Sequence, residues 1–311
     1  MNPFKWILIN RLKHFKSKQK ISGFTLIELL VAMLLAFLVI TPLLGFMINI
    51  MDTDRKEQAK INSEEEIKTA LDFIARDLQQ AVFIYNTDGI KEIRKELPKY
   101  DQKNNYFPVL VFWKRQFIPG GLTIGSRTDD TFVYSLVAYY LIKDNDSTWS
   151  KAARIGRFQI SNGYGQTDDD RESTRDRGFQ LFDLKDEGDL KTKMNKWKKK
   201  TDENYTQDIL PLVDYIDQTP VDTTTNPAPT CSVGEPIPKF SDTGDNVATG
   251  DVMTRGFYVC VDSDNTVAEI YLRGNALARI QQNNLNFNQD NKVYFPQVSI
   301  RVKGRGFLFT Q

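Results

Sequence analysis

The chain has 311 residues, 41 basic against 40 acidic side chains, one histidine and two cysteines. That length holds one large domain or two small ones, and so balanced a charge does not point to general nucleic-acid binding. His14 lies in the basic N-terminal stretch, so residues 24–311 offer no imidazole for a Ser-His or Cys-His nucleophile or for a metal site, which weighs against most hydrolases.

Residues 1–23 carry Lys5, Arg11, Lys13, Lys16, Lys18 and Lys20 and no acid, so they contribute +6 and leave −5 to the remainder. The apolar patch from Phe4 to Ile9 is too short to span a bilayer. At Ile21-Ser22-Gly23-Phe24-Thr25-Leu26-Ile27-Glu28 the texture changes, and Leu29 through Met51 has no charged residue. Those twenty-three residues, at about 1.5 Å of rise each, can cross a hydrocarbon core of about 30 Å. Glu28 is the anomaly, because a charge in hydrocarbon costs roughly 2.5–3.5 kcal/mol on insertion scales. On the residues alone it is either an acid tolerated at the interface of a membrane anchor or a functional intramembrane acid. The basic flank predicts a cytoplasmic N-terminal end, with everything after Met51 outside. Asp52-Thr53-Asp54-Arg55-Lys56 offers no small-residue cleavage site, so the apolar helix is expected to be retained.

Gly-Phe-Thr-Leu-Ile-Glu leading into an apolar helix resembles the class III signal of type IV pilins and pseudopilins. The resemblance implies that a prepilin peptidase cuts between Gly23 and Phe24 and that Phe24 becomes an N-methylated first residue. It also implies that Glu28 pairs with the α-amino group of a neighbouring subunit's first residue. The leader is longer than is usual for that family.

Pro42 removes one intrahelical hydrogen bond and crowds the Leu38 carbonyl, so a helix break or kink is expected at Pro42 and Gly45, either a simple bend or a segment that unwinds in a filament. Residues 24–51 read as the membrane helix and 52–85 as its amphipathic continuation. Ile67, Leu71, Ile74, Leu78 and Val82 form a core-facing stripe, with Asp72, Arg76 and Asp77 on other faces. Residues 70–82, with Arg76-Asp77-Leu78 after an apolar face, resemble J-class minor pseudopilins.

Residues 86–311 read as a β-rich outward head. Strand-length runs occur at Tyr106–Trp113, Thr131–Ile142, Ile155–Ile160, Gly178–Leu184, Val252–Val261, Thr266–Leu272, Lys292–Val302 and Gly306–Thr310. About 185–250 reads as an exposed loop insertion with few apolar residues. Cys231 and Cys260 are either two buried thiols or, as an exported domain favours, a disulfide.

The tract Lys196, Trp197, Lys198, Lys199 and Lys200 either grips an anionic polymer or is a solvated loop balanced by nearby acids. Asp168-Asp169-Asp170, the group Asp242, Asp245 and Asp251, and Asp262-Ser263-Asp264 contain calcium-type ligands, yet none follows a calcium-loop spacing and turn chemistry explains them. No phosphate-cradling glycine motif occurs, and no cofactor or metal is called for.

The expectation is an α+β, pilin-like fold: a long N-terminal helix, half membrane-spanning and half packed on an antiparallel sheet. The resemblance implies a minor pseudopilin or minor pilin in the inner membrane, head periplasmic, partnered by other pilin-like subunits, prepilin peptidase and the inner-membrane assembly platform. Gly274-Asn275-Ala276-Leu277-Ala278-Arg279 and the large head resemble cyanobacterial pseudopilins linked to polysaccharide secretion in gliding filaments. The other class in play is a membrane-anchored adhesin or glycan-binding protein using the Lys-Trp tract.

Overall fold

In the computed structural model, which describes residues 23–102, 105–185, 187–238, 253–306 and 308, a 53-residue helix, α1 (Leu26–Leu78), comes first. The leader through Ser22, the acids Asp242, Asp245 and Asp251, and most of the run Gly306–Thr310 lie outside the described residues. The chain divides into two compact units, Met1–Asp54 and Arg55–Gln311. They are best taken separately.

In the first unit every described residue, Gly23 to Asp54, is exposed. Its Leu, Met, Ala and Phe residues are good or fair helix formers with apolar surface on all sides, the pattern of a helix made for lipid. Among the described residues, α1 is the one helix long and apolar enough to cross a membrane. In the single chain α1 is continuous helix through Pro42 and Gly45. One proline removes a single ladder bond, and strong helix formers on both sides carry the turn. The Thr41 hydroxyl also donates to the Phe37 carbonyl at 2.8 Å, an additional bond in the strained turn.

In the second unit, Ile67, Leu71, Ile74 and Leu78 of α1 are buried as their spacing predicts. The helix stops there, seven residues short of the expected Tyr85. After the Gln79-Gln80 turn, β1 (Ala81–Ile84) pairs antiparallel with β2 (Tyr106–Ile124), Phe83 opposite Trp113. Val82 therefore belongs to a strand. Val-Phe-Ile-Tyr is β-branched and aromatic, and because all four residues of β1 are buried it lacks the alternation that would mark it.

A short helix, α2 (Thr87–Ile93), follows, capped by Asn86, which accepts from Gly89 N. Then β2 and β3 (Arg127–Ile142) form a long hairpin, extended by β4 (Ala153–Ser161) and β5 (Leu210–Ile216) into an antiparallel sheet of order β1-β2-β3-β4-β5. Between β4 and β5 lie α3 (Asp168–Thr174) and α4 (Leu190–Asn195). A second antiparallel sheet has the order β6 (Glu235–Ile237), β7 (Phe257–Asp262), β8 (Val267–Arg273) and β9 (Gln297–Lys303). One continuous core joins Ile67, Ile74 and Leu78 to Phe112, Leu136 and Phe158 of the first sheet and to Val259, Ile270 and Leu272 of the second.

Three expectations change where contacts distant in sequence override the local pattern. Gly178–Leu184 is not a strand; Phe179 and Phe182 pack their rings edge-on against Trp113 from a loop. Within the expected exposed insertion most described residues are exposed or half-buried, but β5 pairs with β4 and Met194, Val213, Ile216 and Ile237 are buried. Lys292–Val302 is split into a turn at Lys292–Tyr294 and β9, while of the run Val252–Val261, whose first residue lies outside the described residues, strand β7 takes Phe257 onward.

Two buried aspartates, each paired with cations, lock the unit. Asp77, placed with the polar faces of α1 by its spacing, is 6% exposed. Its carboxylate accepts from Lys114 Nζ at 2.6 Å, Tyr139 OH at 2.8 Å and Arg157 Nε at 2.9 Å, tying α1 to β2, β3 and β4. At the junction of the two sheets, Arg273 donates to Asp217 through Nε at 2.7 Å and through Nη2, and Asp217 also accepts the Thr219 hydroxyl at 2.6 Å. Gly274 permits the close approach of α1 here: a Cβ would lie 2.9 Å from Ser63 Oγ and 3.2 Å from Ile67 Cγ2.

Burial acts to raise the Asp77 carboxyl, but Lys114 and Arg157 outweigh it and hold the group below the ordinary Asp value. A depressed folded pKa means that this contribution is complete above about pH 4 and is lost as pH falls through the folded value. Asp77→Ala strands the buried Lys114 and leaves the half-buried Arg157 without its carboxylate, and should destabilise the second unit by about 3 kcal/mol, measured by urea unfolding in detergent. Wild-type unfolding midpoints should also fall more steeply than those of Asp77→Asn over that acid range. Cys231 and Cys260 form a disulfide, Cα to Cα 5.6 Å, across 29 residues. Its reduction should cost about 3–4 kcal/mol in the chain-entropy picture, seen as a lower thermal midpoint in reductant; an unchanged midpoint would show that the bridge does not stabilise the fold.

Candidate functional site

The residues that set the helix entrance come first. Gly23 is exposed with nothing within 4 Å of a built Cβ, and Phe24 is 82% exposed, so the bond between them stands clear of the folded chain. α1 begins at Leu26, which makes Thr25 its N-cap and Glu28 its third residue. Thr25 and Glu28 hold each other reciprocally. Glu28 N donates to Thr25 Oγ1 at 3.3 Å, while Glu28 Oε2 accepts from Thr25 N at 3.4 Å and from the Thr25 hydroxyl at 3.2 Å. This is a capping box. It supplies partners to two backbone donors that have none within the helix, and it sets the carboxylate at the positive end of the helix dipole.

Thr25 is the functional residue that the sequence reading overlooked. The signal was present as Thr25-x-x-Glu28 immediately before an apolar run. Apolar surface surrounds the box: Leu26, Ile27, Leu29 and Leu30 are all exposed. The site therefore holds a helix N-terminus, a carboxylate and an accessible Gly-Phe bond beside a lipid-ready surface. Such an arrangement suits peptide cleavage by an outside enzyme and charge pairing with a second chain.

The Lys-Trp tract does not stay together. Trp197 is 4% exposed, its indole N–H donates to the Gln180 carbonyl at 2.7 Å, and its ring packs on Trp113. It is thus not on the surface for stacking on a ligand. Lys200 bridges Glu203 at 2.8 Å and Glu172 at 3.2 Å, and Lys199 lies against the Tyr205 ring with its Nζ bonded to the Glu203 carbonyl. Lys196 and Lys198 are exposed. The acids nearby have already taken much of the charge.

The aspartate groups act as caps and turns. Thr167 and Asp170 form a second capping box at the start of α3, and Asp262 accepts from the backbone N and the side-chain amide of Asn265 in the β7–β8 turn. Among the described residues, no group of three or more His, Cys, Asp or Glu converges on one point.

No curated protein matches the chain, and no solved structure does. The α+β arrangement, a long apolar N-terminal helix followed by antiparallel sheets, is that of a pilin-like fold. Residues 18–44 match the family described as the prokaryotic N-terminal methylation motif, the motif of type IV pilin-like prepilins.

Proposed function

We propose that the chain is a minor pilin or pseudopilin that joins a type IV pilus-like or type II secretion-like filament. Prepilin peptidase would cut after Gly23, leaving residues 24–51 as a single-pass inner-membrane anchor and residues 86–311 within a periplasmic head. The inner-membrane assembly platform and other pilin-like subunits would then draw it into the filament. The observation that carries this proposal is the accessible Gly23-Phe24 bond followed four residues later by Glu28, at the head of a helix whose first unit is exposed throughout.

Glu28 gives the assembly its driving term. In the single chain its partner is the neutral Thr25 cap. In a bundle of such helices the α-amino group of another subunit's first residue would offer a full positive charge in a low-dielectric setting, where a close pair is worth far more than in water. The head is large for a shaft subunit, which favours a minor role such as priming assembly and assisting export. The Gly274–Arg279 resemblance favours polysaccharide for surface motility as the exported material.

Glu28→Val should leave membrane insertion and leader removal near wild type while lowering the filament-associated fraction by about tenfold or more, equivalent to about 1.4 kcal/mol of docking energy. Sheared-filament pelleting and immunoblotting measure this, and undiminished incorporation of Glu28→Val would dismiss the pairing role. Gly23→Leu should retain the leader, visible as a slower band and as an N-terminal sequence that begins upstream of Phe24. Wild-type protein should begin at N-methyl-Phe24.

A further inference from the structure

An open groove of about 1220 Å³ lies in the second unit between the loop 143–151, the end of β5 and the segment 278–286. It exceeds the about 300–1,000 Å³ usual for small-molecule pockets, so its size suits a chain-like ligand. Its chemistry is unlike that of the rest of the surface. One wall is Gln282, Asn283, Asn284 and Asn286, all exposed. They belong to a stretch, Gln281 to Gln289, in which seven of nine residues are amides. A side-chain amide donates two hydrogen bonds and accepts at its carbonyl, matching ligand hydroxyls that do both.

Two aromatic residues face this wall. Trp149 and Tyr215 line the groove and are partly exposed. Each ring is steadied by a guanidinium, Arg154 at 5.5 Å from the Trp149 centroid and Arg279 at 4.0 Å from that of Tyr215. Tyr215 has φ +57°, a left-handed conformation costly for a bulky aromatic residue, and its carbonyl accepts from Asn275 N at 2.7 Å. Fold and strain together set that ring at the groove.

Both walls are rigid before any ligand arrives. Asp144 is gripped by Arg154 through two bonds of 2.6 Å and by Tyr106 at 2.8 Å, and Ser150 is bonded twice to Asp214. Opposite, Leu285 is buried with Leu277 and Phe295, and buried Asn275 donates to the Leu285 carbonyl at 2.8 Å. The charged lining consists of Lys143 and Lys151 against Asp144, Asp146 and Asp214, with Asp144 neutralised by Arg154. Near-neutral lining gives an anionic polymer no electrostatic hold. Aromatic faces carry negative quadrupole density that attracts the polarised C–H groups of a sugar ring.

We propose that this groove is a binding site for a neutral polysaccharide chain, stacked on Trp149 and Tyr215 and hydrogen-bonded by the amides of Gln282, Asn283 and Asn284. The site rests on the proposed polysaccharide role for its biological setting, but binding itself needs only the purified chain.

The test is affinity electrophoresis of the detergent-solubilised full chain in gels containing a neutral β-glucan, galactomannan or xylan, with alginate as the acidic control. At least one neutral polymer should retard the protein, and about 0.5 M salt, at which charge interactions are largely screened, should leave the retardation in place. Trp149→Ala, and separately Gln282→Ala with Asn283→Ala and Asn284→Gly, should weaken it by about tenfold or more. The amide variants alter exposed residues, and Gly tolerates the φ of +56° at Asn284, so they keep the test valid if Trp149→Ala fails to fold. The proposal is overturned if no neutral polymer retards the chain or if only alginate does so with reversal by salt. It is equally overturned if the folded amide variants bind as wild type, or if the groove variants lose another pilin-like subunit and not a glycan. Groove variants should pellet with filaments as wild type does, and Glu28→Val should still be retarded, so glycan binding and filament entry can fail independently.

Discussion

A carboxylate at the head of an apolar helix is the constraint from which the rest of this protein follows. From Leu26 to Met51, α1 presents hydrophobic side chains on every side, all of them exposed in the isolated chain. Such a surface is stable only in lipid or against other apolar helices, and the carboxylate is costly in either. Thr25 reduces the cost by capping Glu28 locally, at 3.2 Å between hydroxyl and carboxylate. The cap is neutral, so it solvates the charge without cancelling it. On the proposed role, such a chain would remain inserted as a single subunit and still gain from a partner bearing an amine at the same depth.

The second half of α1 meets the opposite requirement. It must commit one face to a core, and the commitment is specified by polar groups as much as by the apolar stripe. Hydrophobic packing alone would tolerate small rotations and slides of α1 on the sheet. Asp77 does not, because Lys114, Tyr139 and Arg157 converge on it from three adjacent strands. A buried pair of this kind gives little net stability over an apolar substitute, yet it penalises any arrangement that leaves the charge unmatched. Asp217 and Arg273 do the same at the junction of the two sheets, beside Gly274, where α1 comes closest.

What could be read in the sequence, and what could not, divides along range of interaction. The apolar run, the Gly-Phe-Glu spacing and the Ile67-Leu71-Ile74-Leu78 stripe are local patterns and were legible. The long hairpin of β2 and β3 was legible in part, because Thr131–Ile142 is rich in residues that suit strands. The end of α1 was not: Val82 continues the helical stripe, and the pairing of Phe83 with Trp113, thirty residues away, decides the matter. The same holds for Asp77, polar by composition and buried by partners on other strands. The stretch about 185–250 is rich in charge and turn formers, so composition hid Met194, Trp197 and β5, each recruited by apolar surface distant in sequence. Thr25 is a different case, a local motif in plain view whose meaning was eclipsed by the membrane run beside it.

The fate of Trp197 also separates two ways in which the head can meet a polymer. An aromatic residue amid lysines suggests an anion grip, but here the ring fills the core behind Trp113 and the acids Glu172 and Glu203 engage Lys200. Rings and polar side chains do occur together at the groove, where Trp149 and Tyr215 face an amide wall and the formal charges nearly cancel. Charge gives reach and salt sensitivity, whereas amides and aromatic faces give short-range selection among uncharged chains. If the proposed filament role holds, the head would be delivered to its target by assembly, and long-range attraction would add little. Short-range recognition that survives ionic strength is the property such a position rewards.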